Sequence, residues 1–248
     1  MRVQTNMALL KRNRTLAQIA FFASLGLLAI GFIGTNARLI LPTVDANLMP
    51  ILELVVPAVI LPIAFISTLF SVRMTNLWVR APRPEAVLPE NLKGLSTQSV
   101  FYSYHHFPAR HVLICPHGVF AIITRFHFRA YRVDGDQWST QQAALGRVFS
   151  VFRMDNIGNP TLEAVNAAAQ IQAALATIAP GVIVQPLVVF VDPRVTLTLN
   201  NPTVPVLYAQ SKRQPNLKDY LKALPKSTML TPEQINAFEH ATGITTTA

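Results

Sequence analysis

Leu16 to Gly34 runs for nineteen residues without a charged side chain, and Met49 to Val72 repeats the pattern with Glu53 as its one ionisable group. Each run is close to the roughly 20 residues that an α-helix needs to cross a hydrocarbon core of about 30 Å. No other feature constrains the chain as strongly. In hydrocarbon every backbone N–H and C=O must be satisfied internally, so segments of this kind are helices. Gln18 and Ser24 are the clearly polar side chains of the first run. A cleaved signal peptide is the competing reading, but the apolar stretch is too long and no small-residue cleavage site follows it. Pro57 and Pro62 interrupt the second run and are tolerated in membrane helices. Glu53 stands about one turn inside the span, where an interfacial carboxylate reaching for headgroups is expected.

Composition agrees. Hydrophobic residues make up 51% of the 248 and charged residues only 13%, an unusual balance for a soluble protein. The flanking charges orient the hairpin. Arg2, Lys11, Arg12 and Arg14 precede the first run, and Arg73, Arg80 and Arg83 follow the second. The polar break from Thr35 to Asn47 carries Arg38 and Asp45. The positive-inside rule then predicts both termini in the cytoplasm and the break outside. The expected organisation is a basic cytoplasmic arm (1–15), an integral two-span hairpin (16–34 and 49–72), a linker (73–87) and a cytoplasmic domain (88–248) at the inner (plasma) membrane. The Pro-rich stretch APRPEAVL, Ala81 to Leu88, reads as part of that linker.

In the domain, short apolar segments alternate with turn signals. His111 to Arg125, HVLICPHGVFAIITR, reads as two buried strands around a tight turn, with Pro116 fixing its own φ and Gly118 free to take φ > 0. Ser99 to Tyr104 precedes it as a further strand, followed by a loop through His105, His106 and Pro108. Arg125 to Val133 alternates aromatic and basic residues as a half-exposed strand does, Asp134-Gly135-Asp136 is a turn, and Trp138 is expected to anchor the segment. Thr161 to Ile178 is a helix with Asn159 as cap and Pro160 in its first turn. Its predicted apolar face is Leu162, Val165, Ala169, Ile171, Ala174 and Leu175. Val182 to Val191 and Val204 to Tyr208 read as buried strands. Leu217 to Leu224 and Pro232 to Ala241 read as amphipathic helices. The predicted fold class is α/β, with a central mixed sheet flanked by helices.

Charge in the soluble part is uneven. Residues 73–153 hold ten Lys/Arg against four acids, a net +6, whereas residues 154–248 are neutral. A basic stretch next to a membrane fits anionic lipid headgroups and nucleic acid equally well. Cys115, the single cysteine, lies in an apolar strand and is expected to be a buried, inert thiol. The sequence carries no Gly-rich phosphate loop, no G-x-S-x-G and no Cys/His zinc pattern.

Several pieces, in order, carry a resemblance: the HVLI and HGVFAI strand pair, the aromatic and basic strand with Trp138, Asn159-Pro160 opening a helix, and the strand LVVFVDP. Over roughly residues 88–225 the chain resembles the nuclease-related domain (NERD) family of the restriction-endonuclease-like PD-(D/E)xK superfamily. The resemblance implies an acid at the start of the first of these strands and a Glu-x-Lys triplet at the end of the second. Two carboxylates would hold a divalent cation, and the lysine would position the attacking water. Laid on this chain, the acid falls at Arg110, the Glu on Ile123 and the Lys on Arg125. The implied site is therefore degenerate, and neither a catalytic residue nor a cofactor is expected there. The expected function is that of a membrane-anchored, catalytically inactive NERD-like protein. It would bind nucleic acid or another anion through Arg110, Arg125, Arg129 and Arg132. One alternative is a Mg²⁺-dependent nuclease with relocated ligands around Asp134 and Asp136, although two Asp flanking a Gly are ordinary turn chemistry. His111, His117 and His127 are scattered and lack metal-site spacing; His111 and His127 are expected to make local hydrogen bonds. The other alternative is a membrane-tethered module that binds a protein partner.

Overall fold

A computed structural model describes residues 1–140, 157–226 and 230–244. Residues 141–153 of the basic stretch lie outside the described residues. The described chain divides into two compact units, an apolar helical hairpin at 8–81 and an α/β unit formed by 1–7, 82–140 and 157–244.

In the hairpin, α1 (Met7–Thr35) and α3 (Val56–Trp78, preceded by a π-helical turn at Ile51–Val55) carry the two apolar runs. Both are long and apolar enough to span a bilayer. The helices extend beyond the charge-free runs at both outer ends, so Lys11, Arg12, Arg14 and Arg73 lie on helix. Buried positions recur every seven residues, at Leu10, Ala17, Ser24 and Gly31 on α1 and at Pro57, Ala64 and Ser71 on α3. A seven-residue repeat keeps one seam facing a neighbouring helix, and small side chains on that seam allow the backbones to approach closely. At Gly31 the approach is close enough that an added Cβ would lie 2.4 Å from Leu61 Cδ2, so that side chain would have to move. The π-turn has a local cause. Pro57 has no N–H to offer the Glu53 carbonyl, and the preceding turn widens so that Val56 N–H bonds to Ile51 O. Between the helices, short α2 (Ala37–Ile40) places Arg38 Nε 2.9 Å from Glu53 Oε1. Glu53, expected to reach for headgroups, thus has a protein partner in the connecting segment.

The α/β unit is built on a six-stranded mixed sheet of order β1-β2-β3-β4-β7-β9. Its strands are β1 (Arg2–Thr5), β2 (Val100–His106), β3 (Ala109–Cys115), β4 (Gly118–Arg125), β7 (Val184–Phe190) and β9 (Val206–Tyr208). β2, β3 and β4 form an antiparallel meander. β4, β7 and β9 run parallel, and β1 is parallel to β2. The VLIC and VFAII runs are continuous because helices cover both faces of the sheet. On one face Val112, Ile114, Ala121, Ile123 and Val188 pack with residues of α5 (Pro160–Leu175) and α7 (Pro232–Ala241). On the other, Leu113, Phe120, Ile122, Leu187 and Val189 pack with α4 (Pro84–Asn91) and α6 (Leu217–Ala223). Cys115 pairs with Gly118 across the Pro116-His117 turn, and Gly118 has φ 131°. The thiol is buried, and burial raises its pKa.

The α/β unit departs from the expectations in several places; among them His105 and His106, expected in a loop, lie in β2. Residues 2–5, expected in a free basic arm, form β1, with Arg2 donating to the buried Glu239 carboxylate at 2.5 Å. The Pro-rich linker contains helix α4, in which Pro84 occupies the first turn where no N–H is required. Full burial of Leu88 and Leu92 overrides the cost of Pro89 inside it.

The buried face of α5 is rotated from the predicted one. Pro160, Thr161, Ala164, Ala167, Ala168, Ile171 and Leu175 are buried, while Leu162 and Val165 stand 56% and 44% exposed. Alanines let the helix lie close to the sheet, and Thr161 faces inward to accept from Trp138 Nε1 at 2.8 Å.

Finally, the strand expected over Arg125 to Val133 is split. β4 ends at Arg125, and β5 (Ala130–Asp134) joins β6 (Gln137–Thr140) and β8 (Thr196–Asn200) in a second sheet of order β6-β5-β8. β5 and β8 are parallel, as are β4 and β7. The two chain segments therefore run side by side through both sheets, joined at the bend by Val191 N–H to Arg125 O and Thr196 N–H to Arg129 O.

Candidate functional site

The register of β3 on β4 pairs His111 with Ile122, which sets Arg110 across from Ile123. Alternation along the strands puts Arg110, Ile123 and Arg125 on one face of the sheet, the face that carries α5. Ile123 is buried in that core. Arg125 is buried as well, and its Nη2 donates to Glu163 Oε1 at 2.6 Å while Nη1 donates to the Thr124 carbonyl at 3.3 Å. Glu163 lies in the first turn of α5. Sequence reasoning passed over it because a carboxylate there is ordinary complement to the helix dipole. The pairing with Arg125 spans 38 residues and follows from the parallel β4-α5-β7 crossover, which returns the start of the helix to the end of β4.

The other predicted arginines separate. Arg129 is half-buried at the bend between the sheets. Arg132 alternates with the buried Tyr131 and Val133, so it projects from the outer, solvent-facing side of the second sheet. The register thus gathers Arg110 and Arg125 and sends Arg132 to a different surface. Two further arginines at the bend escaped sequence reasoning. Arg194 closes on the buried Asp192 carboxylate through Nε at 2.9 Å and Nη2 at 2.6 Å, and its guanidinium lies 4.8 Å from the Phe128 ring centroid. Arg213 lies over Tyr208 at 4.6 Å and donates to the Val195 carbonyl at 2.8 Å. D-P-R after β7 is the one local signal that could have revealed the first of these.

A divalent cation at the position implied by the resemblance does not fit the residues present. A guanidinium (Arg110) and a hydrocarbon (Ile123) occupy the two ligand positions, Arg125 takes the lysine position, and Glu163, the carboxylate brought beside them, is engaged by Arg125. Asp134 and Asp136 flank Gly135, whose φ is 54°, in the β5–β6 turn. Asp134 accepts from Asn200 Nδ2 at 2.8 Å and Asp136 accepts from Thr203 Oγ1. Among the described residues no group of three or more His, Cys, Asp or Glu side chains is placed to hold a metal ion.

His106 and His111 are core residues. His111 shares a 3.1 Å hydrogen bond with Ser103 Oγ through Nδ1 and stacks on Phe101, and burial lowers its pKa to about 3. His106 stacks on Phe238 and bonds Thr242 Oγ1 at 3.1 Å, and burial lowers its pKa to about 4. Next to it, Tyr102 donates to Glu239 at 2.6 Å, and burial followed by that bond raises the phenol pKa.

Comparison of the chain with protein-family models, with curated proteins and with solved structures returns no match.

Proposed function

We propose that this chain is a membrane-anchored member of the restriction-endonuclease-like class that has exchanged metal-dependent cleavage for binding of an anionic partner, nucleic acid foremost. The observation that carries the reading is the cationic character of the end of β4. Arg110 and Arg125 occupy the face where the NERD-like pattern would have acids, and Arg125 is held in place by Glu163. Arg125, buried and paired with Glu163, fixes the end of the strand, and the half-buried Arg110 beside it is the guanidinium within reach of a backbone phosphate. Arg129 extends the same edge, and Arg132 adds charge on the outer side of the second sheet.

The hairpin tethers the domain at the inner membrane with both termini cytoplasmic. Support for that orientation comes from the basic flanks and from β1, which ties residues preceding the first span into the same sheet as the domain that follows the second.

The test uses the full chain in nanodiscs of zwitterionic lipid with fluorescent duplex and single-stranded DNA and RNA. Binding is expected at 50 mM salt and should weaken steeply as salt rises, with Arg110→Ala and Arg132→Ala each reducing the affinity and the salt slope. Absence of binding at low salt sinks the proposal. So does Mg²⁺- or Mn²⁺-dependent cleavage that disappears in Asp134→Ala or Asp136→Ala.

A further inference from the structure

At the opposite end of β4 from Arg125, about 23 Å away along an eight-residue strand, the Pro116-His117 turn forms one wall of a cavity of about 400 Å³. The segment after α4 supplies Ser96 and Gln98, and the end of α6 with the residues beyond it supplies Lys222 and Lys226. The volume falls in the range of small-molecule sites.

Its chemistry is one-sided. Two ammonium groups, an imidazole, a hydroxyl and a carboxamide line it, and among the described residues no Asp or Glu does. Elsewhere the chain pairs cations with carboxylates: Arg2 with Glu239, Arg38 with Glu53, Arg125 with Glu163 and Arg194 with Asp192. Four of the six lysines in the chain, Lys93, Lys218, Lys222 and Lys226, belong to the two segments that wall this cavity. The helix dipole accounts for a cation in the last turn of α6, hence for Lys222. It accounts for neither Lys226, which lies beyond that turn, nor the histidine contributed by a different element.

The walls are also tied together. Lys218 Nζ donates to the Lys93 carbonyl at 2.6 Å, joining α6 to the segment after α4. His117 Nδ1 lies 2.8 Å from the Leu224 carbonyl, joining the turn to the end of α6. A carbonyl only accepts, so Nδ1 carries the proton and donates it to Leu224 O.

We propose that this cavity is a binding site for a phosphate-bearing small ligand, held by Lys222 and Lys226 with Ser96 and Gln98 completing the donor set and His117 bracing the wall against the end of α6. Compact ammonium groups on flexible stems suit a phosphomonoester or pyrophosphate as point charges. The site is independent of the arginine edge, both in position and in the residues used. The phosphate is carried either by a soluble metabolite or by a lipid headgroup such as phosphatidic acid, and the probes separate the two.

Full-length protein in phosphatidylcholine nanodiscs is titrated with inorganic pyrophosphate. In parallel, nanodiscs containing phosphatidic acid are followed by the ³¹P resonance of the headgroup. Lys222→Gln with Lys226→Gln is expected to weaken pyrophosphate binding at least tenfold, or to abolish the protein-dependent headgroup shift if the ligand is a lipid. Both lysines are exposed, so these variants keep their packing, and unchanged thermal melting verifies it. Arg132→Ala leaves the pyrophosphate affinity unchanged even where it weakens nucleic acid, which keeps the failure of either proposal distinct. Absence of binding in both arms, or binding indifferent to the lysine substitutions, overturns the proposal.

Discussion

At the scale of single residues, the buried polar groups decide more than the exposed ones. His106 and His111 are enclosed by aromatic rings and held neutral by burial, with pKa values of about 4 and about 3. The unfolded chain takes up the same protons near pH 6.5. Between pH 6.5 and about 4 the unfolded state therefore binds more protons than the folded one, and stability present above pH 6.5 is lost as the pH falls through that window. For His106 a drop from 6.5 to about 4 corresponds to roughly 3 kcal/mol. Thermal melting of the detergent-solubilised protein should show Tm falling from pH 7 to pH 4.5, with a shallower fall in His106→Gln. A flat profile would contradict the burial of neutral imidazoles. The local role expected for His111 is legible in sequence, because a lone His among apolar neighbours has few other uses. The ion pair of Arg125 with Glu163 is not legible. Its partners stand on different elements, and each has an adequate local explanation.

At the scale of elements, the hairpin helices and the sheet obey different rules, and the sequence shows one more plainly than the other. Uninterrupted apolar runs disclose the spans and the two-faced strands β3, β4 and β7, since lipid and double-sided burial both select against any polar side chain. The α5 helix was mislaid in rotation because summed hydrophobicity favours Leu162 and Val165. The sheet instead received the alanines, for which close approach matters more than area. β8 is hard to read in sequence because TLTLN is only five residues long. The seven-residue seam of small residues makes a sharp prediction. Gly31→Leu forces a side chain into Leu61 and should cost about 1–3 kcal/mol by overpacking. Gly26→Leu, at a position with open space around the Cβ, should be neutral or slightly stabilising through helix propensity. Melting curves of the two variants in one detergent decide the matter, and equal Tm values would contradict the seam.

At the scale of the whole molecule, the first strand and the domain after the second span belong to a single sheet. Cysteines introduced at Asn47 in the connecting segment and at Gly181 in the α/β unit should react with a membrane-impermeant maleimide from opposite sides of sealed vesicles. Cys115 is buried and gives no competing signal. Labelling of both from one side would exclude a spanning hairpin. That two membrane-length helices separate partners of one sheet is not legible in residues 2–5 themselves, since RVQT is short, mostly polar and paired with residues almost a hundred positions later.

The same pairing brackets the two membrane-length helices. β1 leaves the ribosome before either span, yet its partner β2 is translated only after both. A chain that inserted a single span would strand Arg2 across the bilayer from Glu239, leaving a buried carboxylate without its guanidinium and an open edge on β2. In a chain anchored as proposed, insertion of both helices would have to precede closure of the sheet, because β1 and β2 flank them in sequence. Misinserted chains would display the exposed β edge that cellular quality control recognises.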